Sequence, residues 1–288
     1  MRDRAKGSAG RDLQEKTGAG IIMTAREKYE NLRKIIAGHG PMVVAYSGGV
    51  DSSLLAAVAR DVLGEKTRCV LLDSAVVPRA AVTQAQAVAG ELGLSVDIMP
   101  IPLMEFADFR KNPADRCYVC KKISAGYLRQ RAKELGFGCI ADGMNVTDTL
   151  EHRPGLQAAD EEGFVHPFIE AGITKDEIRT IAKKLNLTIW QKPSAACLSS
   201  RIPYGTAITE GKLNMIEEAE GFLASLGIGQ RRVRLHNTIA RIEVQKEDMA
   251  KLLEQQAGVV RYLKSLGFAY VTLDLEGYRS GSMDEVLK

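Results

Sequence analysis

The chain has 288 residues, 45% of them apolar, with a formal net charge of +3 and a pI near 8.5. That is enough chain and enough apolar material for one large domain or two smaller ones, each with a real core. The charge is too mild to demand a nucleic-acid partner, and no apolar run approaches a membrane span, so nucleic-acid and membrane roles are set aside. Residues 1–22 carry Arg, Lys, Gly, Ser and Asp without the apolar centre of a secretory signal. They are expected to form a disordered tail ahead of a more natural start at Met23; Asp3, Asp12 and Glu15 argue against a transit peptide. A helix is predicted over 25–36. Strand and helix then alternate: 42–47, 51–63, 68–74, 78–93, 95–101, a loop, 121–135 and 139–144. The strands are nearly continuous apolar runs, as expected when both faces of a sheet are covered. The predicted fold class is α/β, a doubly wound parallel sheet with ligands at the carboxyl ends of its strands.

Thr174-Lys175-Asp176-Glu177 is a capping box that opens a helix to about residue 185. An irregular stretch follows at 188–204. The remainder reads as helix 212–226, strand 231–235, strand 239–245, helix 247–265 and strand 270–275, a small α+β domain. The expected division is a tail (1–22), an α/β domain (23–205) and a C-terminal α+β domain (206–288). Five cysteines, an odd count without an export signal, point to a reducing compartment, and the cytoplasm is expected. Cys69 and Cys139 fall in predicted strands and read as buried small hydrophobes.

Residues 42–53 run from an apolar strand through Ser47-Gly48-Gly49 into a helix at Asp51-Ser52-Ser53. The glycines let the backbone turn sharply, and the unpaired amides at the positive end of a helix bind phosphate. Asp51 repels an anion unless a magnesium ion stands between them, so Mg2+ is expected there. No Gly-x4-Gly-Lys-Ser/Thr occurs. Ser47 to Ser52 instead resembles the pyrophosphate loop of the PP-loop ATP pyrophosphatases, of the adenine nucleotide alpha hydrolase-like fold. The resemblance implies that ATP is split between its α and β phosphates, an unreactive oxygen is adenylylated, and a nucleophile displaces AMP. Asp73 and Ser74 end the second strand, and Asp142 to Asp148 end the fourth, so both converge on the nucleotide pocket. Gly143, Asn145 and Asp148 are candidates for ribose, metal or substrate, set against an ordinary polar turn.

Arg116-Cys117-Tyr118-Val119-Cys120-Lys121-Lys122 reads as a Cys-x2-Cys loop before a helix, suited to zinc, a redox disulfide or an iron–sulfur cluster. Its second pair is missing, and the one further loop cysteine is Cys197. Arg116, Lys121, Lys122, Lys192 and Arg201 are expected to lower the thiol pKa values. Arg232 and Arg234 lie two apart on one strand and share a face, as a phosphate or carboxylate site requires; solvated charge on an edge strand is the bland alternative. Glu217, Glu218 and Glu220 read as a solvated helix face.

Together these segments resemble the LarE family of ATP-dependent sulfur transferases. The resemblance rests on the PP-loop, Arg-Cys-Tyr-x-Cys-Lys, Asp142-Gly-x-Asn145-x-x-Asp148 and His152-Arg-Pro-Gly155. It continues through Ala195-Ala-Cys197-Leu-Ser-Ser-Arg201-Ile-Pro-Tyr-Gly205 and Arg232-Val-Arg234-Leu-His236 to Asp274-Leu-Glu276-Gly-Tyr-Arg-Ser-Gly281, covering about 26–284. It implies that ATP adenylylates a carboxylate of pyridinium-3,5-dicarboxylic acid mononucleotide and that sulfur displaces AMP, in nickel-pincer cofactor synthesis. It implies ATP and Mg2+ as cofactors and a homo-oligomer, with a hexamer among the options. It places Cys197, Arg232 and Arg234 among catalytic residues. Ser47, Gly48, Gly49, Asp51, Ser52, Asp73, Gly143, Asn145, Asp148 and Arg201 fall among cofactor-binding ones. The family has two versions. In one, a cysteine, here Cys197, gives up its own sulfur. In the other, three cysteines, here Cys117, Cys120 and Cys197, hold a [4Fe-4S] cluster fed by a sulfide source. The Cys-x2-Cys pair favours the cluster. A tRNA thiolation enzyme is the nearest rival but should carry a markedly basic RNA surface. A non-enzymatic nucleotide sensor would leave the Cys-x2-Cys segment without a role.

Overall fold

A computed structural model describes residues 24–150, 154–191, 196–279, 281–283 and 285. The expected tail at 1–22, His152 and Arg153 of the His-Arg-Pro-Gly motif, Lys192 to Ala195, and Ser280 lie outside the described residues. Strands β1 (Met42–Ala45), β2 (Thr67–Asp73), β3 (Val96–Pro100) and β4 (Cys139–Ala141) form a wholly parallel sheet in the order β3-β2-β1-β4. The side-chain period of two splits β1 between the layers. Met42, Val44 and Tyr46 pack with Leu32 and Ile36 of α1 (Ala25–His39), Leu54 and Leu55 of α2 (Val50–Leu63) and Val82 and Ala85 of α3 (Arg79–Glu91). Val43 faces the other way, with Val70 and Ile140, onto a second helical layer. The order reverses direction at β1, the switch point at which an open α/β sheet binds ligands.

Between β3 and β4 run α4 (Ala107–Arg110) and α5 (Arg116–Leu135). Short helices α6 (Val146–Thr149), α7 (Pro154–Glu161) and α8 (Pro167–Glu170) follow β4, then α9 (Lys175–Lys184) behind its capping box. Helix α5 starts five residues before the predicted 121, so the Cys-x2-Cys segment is not a loop but the first turn of a helix. Cys, Tyr and Val have modest helix propensity. Tertiary packing overrides it, because Val119, Cys120 and Ile123 lie against an apolar core. Helix α7 occupies a stretch to which the sequence assigned no element.

The C-terminal unit is α10 (Glu210–Ser225), β5 (Arg231–His236), β6 (Ile239–Val244), α11 (Met249–Glu254), α12 (Gln256–Ser265) and β7 (Tyr270–Leu273). The predicted helix 247–265 is thus two helices that break at Gln255. β5 and β6 pair antiparallel, and β6 and β7 parallel. One sheet face, with Val233, Leu235, Ala240, Ile242 and Val244, packs on Leu213, Ile216 and Leu223 of α10 and Val259 and Leu263 of α12. That core continues into the first unit through Val76, Leu103, Phe109, Leu198 and Ile202. The opposite face carries Arg232, Arg234, Arg241 and Glu243, and chain segments cover it.

Candidate active site

The loop after β1 leads into a helix whose first amides no side chain caps. Helix α2 has Gly49 at its N-cap with no side chain capping it. Gly48 sits at φ +68°, and a Cβ there would lie 2.5 Å from Cα of Ala85, so no larger residue fits. Ser52 braces the turn: the Ser47 amide donates to its Oγ at 3.1 Å, and that hydroxyl donates to the Gly49 carbonyl at 3.3 Å. The β4 loop closes over α2, where a Cβ on Gly143 would come within 2.9 Å of the Ser52 amide nitrogen.

A cavity of about 580 Å³ opens above this loop, and Ser47, Asp51, Ser52, Gly143 and Asp148 line it. Two lysines enter it that sequence reasoning did not single out as site residues. Lys175 forms an ion pair with Asp51, and Lys121 forms one with Asp142 at 2.7 Å. The other Asp51 oxygen, Oδ1, is buried without a hydrogen-bond partner among the described residues. Burial alone would raise the Asp142 carboxyl, but the His166 hydrogen bond at 2.7 Å and the Lys121 charge hold it below the usual range. Burial pulls His166 down, yet Asp142, with Asp160 on its other nitrogen at 3.0 Å, raises it above the ordinary imidazole value. His166 thus holds in place the carboxylate with which Lys121 pairs.

Asn145 and Asp148 form a capping box at α6. Asn145 Oδ1 accepts from the Thr147 amide at 3.0 Å, and Asp148 Oδ2 accepts from the Asn145 amide at 3.0 Å and from Asn145 Nδ2 at 2.7 Å. Asn145 is buried, whereas Asp148 reaches the cavity. Asp73 binds Arg79 at 2.6 Å beside the cavity, and Val77 and Pro78 of the following loop line it.

Ala196 and Cys197 line the same cavity. Leu198–Arg201 form a 3-10 turn, tied to the loop after β2 by the Leu198 amide donating to the Val76 carbonyl at 2.8 Å. Cys197 and Cys117 both stand near enough to Cys120 for their charge to act on it. The expectation that flanking cations lower the thiol pKa values fails at Cys120. Burial, then the Cys197 charge, pushes its thiol up to about 12. The cations are already engaged. Arg116 stacks over Tyr204 at 4.3 Å and donates to Asn112, Lys121 is on Asp142, and Lys122 is on Glu161 and Glu162. Arg201 is on Glu220 at 2.9 Å, and Lys192 lies outside the described residues. Among the described residues no group of three or more His, Cys, Asp and Glu side chains could grip a single metal ion.

Behind this turn stands the arginine face of the small sheet. Arg234 donates to Glu243 at 2.8 Å, to Ser282 at 3.0 Å and to the Ser200 carbonyl at 3.1 Å. Glu243, fully buried, also takes Arg241 at 3.1 Å. Glu220 is not a solvated residue: it accepts from Arg201 and from the Val233 amide at 3.0 Å. Arg232 is buried over the Tyr278 ring at 5.1 Å and has no carboxylate partner among the described residues. Burial and then the Arg201 charge lower its pKa. An under-neutralised buried guanidinium is a ready anion site. His236 lies on the same face, lowered by burial.

A family model described as NAD synthase matches residues 27–136. The chain is 38% identical to the pyridinium-3,5-bisthiocarboxylic acid mononucleotide synthase of Lactiplantibacillus plantarum, over 85% of this chain and 90% of that one. It is 40% identical to an uncharacterised protein of Synechocystis, over 90% of this chain and 98% of that one. Similarity falls to 26% for the glutamine-hydrolysing GMP synthase of Aeropyrum pernix, over 68% of this chain and 41% of that one.

Proposed function

Because the chain belongs to the LarE family of PP-loop ATP-dependent sulfurtransferases, which serve cofactor synthesis, we propose that it adenylylates a carboxylate of pyridinium-3,5-dicarboxylic acid mononucleotide and converts it to a thiocarboxylate. The observation that carries this reading is one cavity lined both by the phosphate loop, through Ser47, Asp51 and Ser52, and by Cys197. A carboxylate is a poor electrophile until AMP is attached as leaving group. The free amides of α2 receive the departing pyrophosphate, and Lys175 turns from Asp51 to the same charge. Asp51 suits Mg2+, since its Oδ1 is buried and unpartnered; the ion would supply charge neutralisation at the phosphates. Arg232 takes the phosphate or free carboxylate of the mononucleotide, with Arg234 held behind it by Glu243. Arg201 acts from the Glu220 ion pair, fixing the Cys197 segment through its bonds to the Ala196 and Cys197 carbonyls, both 2.9 Å.

Two sulfur sources suit this arrangement, and one observation favours the cluster. Cys117 and Cys197 both stand near Cys120, so three thiols gather at one place, more than a single sacrificial cysteine requires. Cys117, Cys120 and Cys197 are the donor set that would hold a [4Fe-4S] cluster, whose open iron would carry exchangeable sulfide. In the other source Cys197 itself is spent. The test is pyrophosphate release from ATP and Mg2+ with the dicarboxylate mononucleotide. Release that requires this substrate supports the reading; release indifferent to it, or none, rules it out. Iron and labile sulfide in anaerobic protein, against Cys197→Ala, separate the two sources.

A further inference from the structure

We propose that Ser199 is a positioning residue whose hydroxyl donates a hydrogen bond to the Cys197 sulfur and so tunes the reduction potential of the iron–sulfur cluster that this cysteine would help to hold. The inference rests on the cluster version of the reading above. Ser199 is 1% exposed, and its Oγ lies 2.9 Å from Cys197 Sγ. No other hydrogen bond to that hydroxyl exists among the described residues. A buried hydroxyl without a partner costs free energy, so this one contact is its compensation. An iron-bound thiolate carries no proton, so the serine O–H is then the donor.

The surroundings fix the pair. The Ser200 hydroxyl and Arg201 Nη1 both donate to the Cys197 carbonyl at 2.9 Å. The Ile202 amide donates to the Ser199 carbonyl at 3.1 Å, and Arg201 is clamped by Glu220. Sulfur and hydroxyl therefore sit on one rigid turn and cannot drift apart. A hydrogen bond to a cluster sulfur withdraws electron density and favours the reduced state, which raises the potential.

The experiment is an anaerobic redox titration of the full-length protein, followed by electron paramagnetic resonance, after iron and labile sulfide have been measured. Ser199→Ala is expected to keep its iron and to show a midpoint potential below that of the wild type. Ser199→Thr, which retains the hydroxyl, is expected to titrate with the wild type. An unchanged potential in iron-loaded Ser199→Ala overturns the proposal and leaves the cluster reading standing. So does an equal shift in Ser199→Thr. Loss of iron from Ser199→Ala with an unaltered melting transition overturns it too, because the serine would then build the site rather than tune it. Iron-free wild-type protein removes both the proposal and the cluster.

Discussion

Replacing Asn112 with alanine removes a buried staple between the two segments that carry the cysteines. Asn112 is fully buried at φ +55°. Its Nδ2 donates to the carbonyls of Ile202 at 3.3 Å, Pro203 at 2.8 Å and Thr206 at 3.0 Å, and its Oδ1 accepts from Arg116 at 2.8 Å. Each buried polar partner left unpaired costs about 1–3 kcal/mol, and a left-handed backbone costs a non-glycine residue about 1–2 kcal/mol. Arg116 and the carbonyls keep part of their bonding, so the expected loss is on the order of 4 kcal/mol. At about 2–4 °C per kcal/mol for a chain of this size class, that lowers the Tm by roughly 10 °C. Thermal melting followed by circular dichroism reads it. Asn112→Gly relieves the backbone but not the lost bonds, so it should recover only about 1 kcal/mol. A loss below about 1 kcal/mol in Asn112→Ala, or full recovery in Asn112→Gly, would refute the staple.

Gly48→Ala should weaken ATP binding by at least about tenfold in calorimetry, because its Cβ would collide with Ala85 and disorder the amide cradle; near-normal affinity would contradict the loop geometry. Glu243→Gln should cost about 3–5 kcal/mol in urea unfolding, since it leaves the buried Arg234 without a carboxylate, while Arg241 keeps Asp274 at 3.0 Å; a loss under about 1 kcal/mol would show the network idle. His166 is raised, so its stabilisation is present below about pH 6.5 and lost as pH climbs through the raised value. Asp142 is lowered, so its share is present above about pH 4 and lost as pH falls through the lowered value. The urea midpoint of the wild type should therefore drop between about pH 6 and pH 9 by more than that of His166→Asn. Equal drops would detach His166 from the network. Lys175→Ala should abolish substrate-dependent pyrophosphate release while leaving the fold intact by circular dichroism, and unchanged release would remove Lys175 from the site.

The parallel sheet was legible because β1 and β4 are written as unbroken apolar runs and β2 holds one from Cys69 to Leu72, as strands covered on both faces require. The phosphate loop was legible because its geometry demands small residues in one contiguous stretch, Gly48 above all. What escaped detection depends on distant partners. Asn112 is an unremarked loop residue until residues 202–206 come to meet it, some 90 positions later. Lys175 is hidden inside a capping box, where it looks like ordinary helix-opening charge. Glu220 reads as surface on helical periodicity, yet α10 turns it onto Arg201 and the edge of β5. The start of α5 was placed late because Cys-Tyr-Val has little helical preference of its own, and the apolar core beneath Cys120 decides the matter. The thiol expectation misled at Cys120 because burial against the apolar core, invisible in the local charge pattern, outweighs the neighbouring Lys121.

The measurement that bears most directly on the central claim is mass spectrometry of the mononucleotide after incubation of anaerobic protein with ATP, Mg2+ and pyridinium-3,5-dicarboxylic acid mononucleotide. Sulfur in place of a carboxylate oxygen, accompanied by AMP and pyrophosphate and lost in Cys197→Ala, is the predicted result. An unaltered mononucleotide alongside active ATP cleavage would contradict it and assign the cavity to another acceptor.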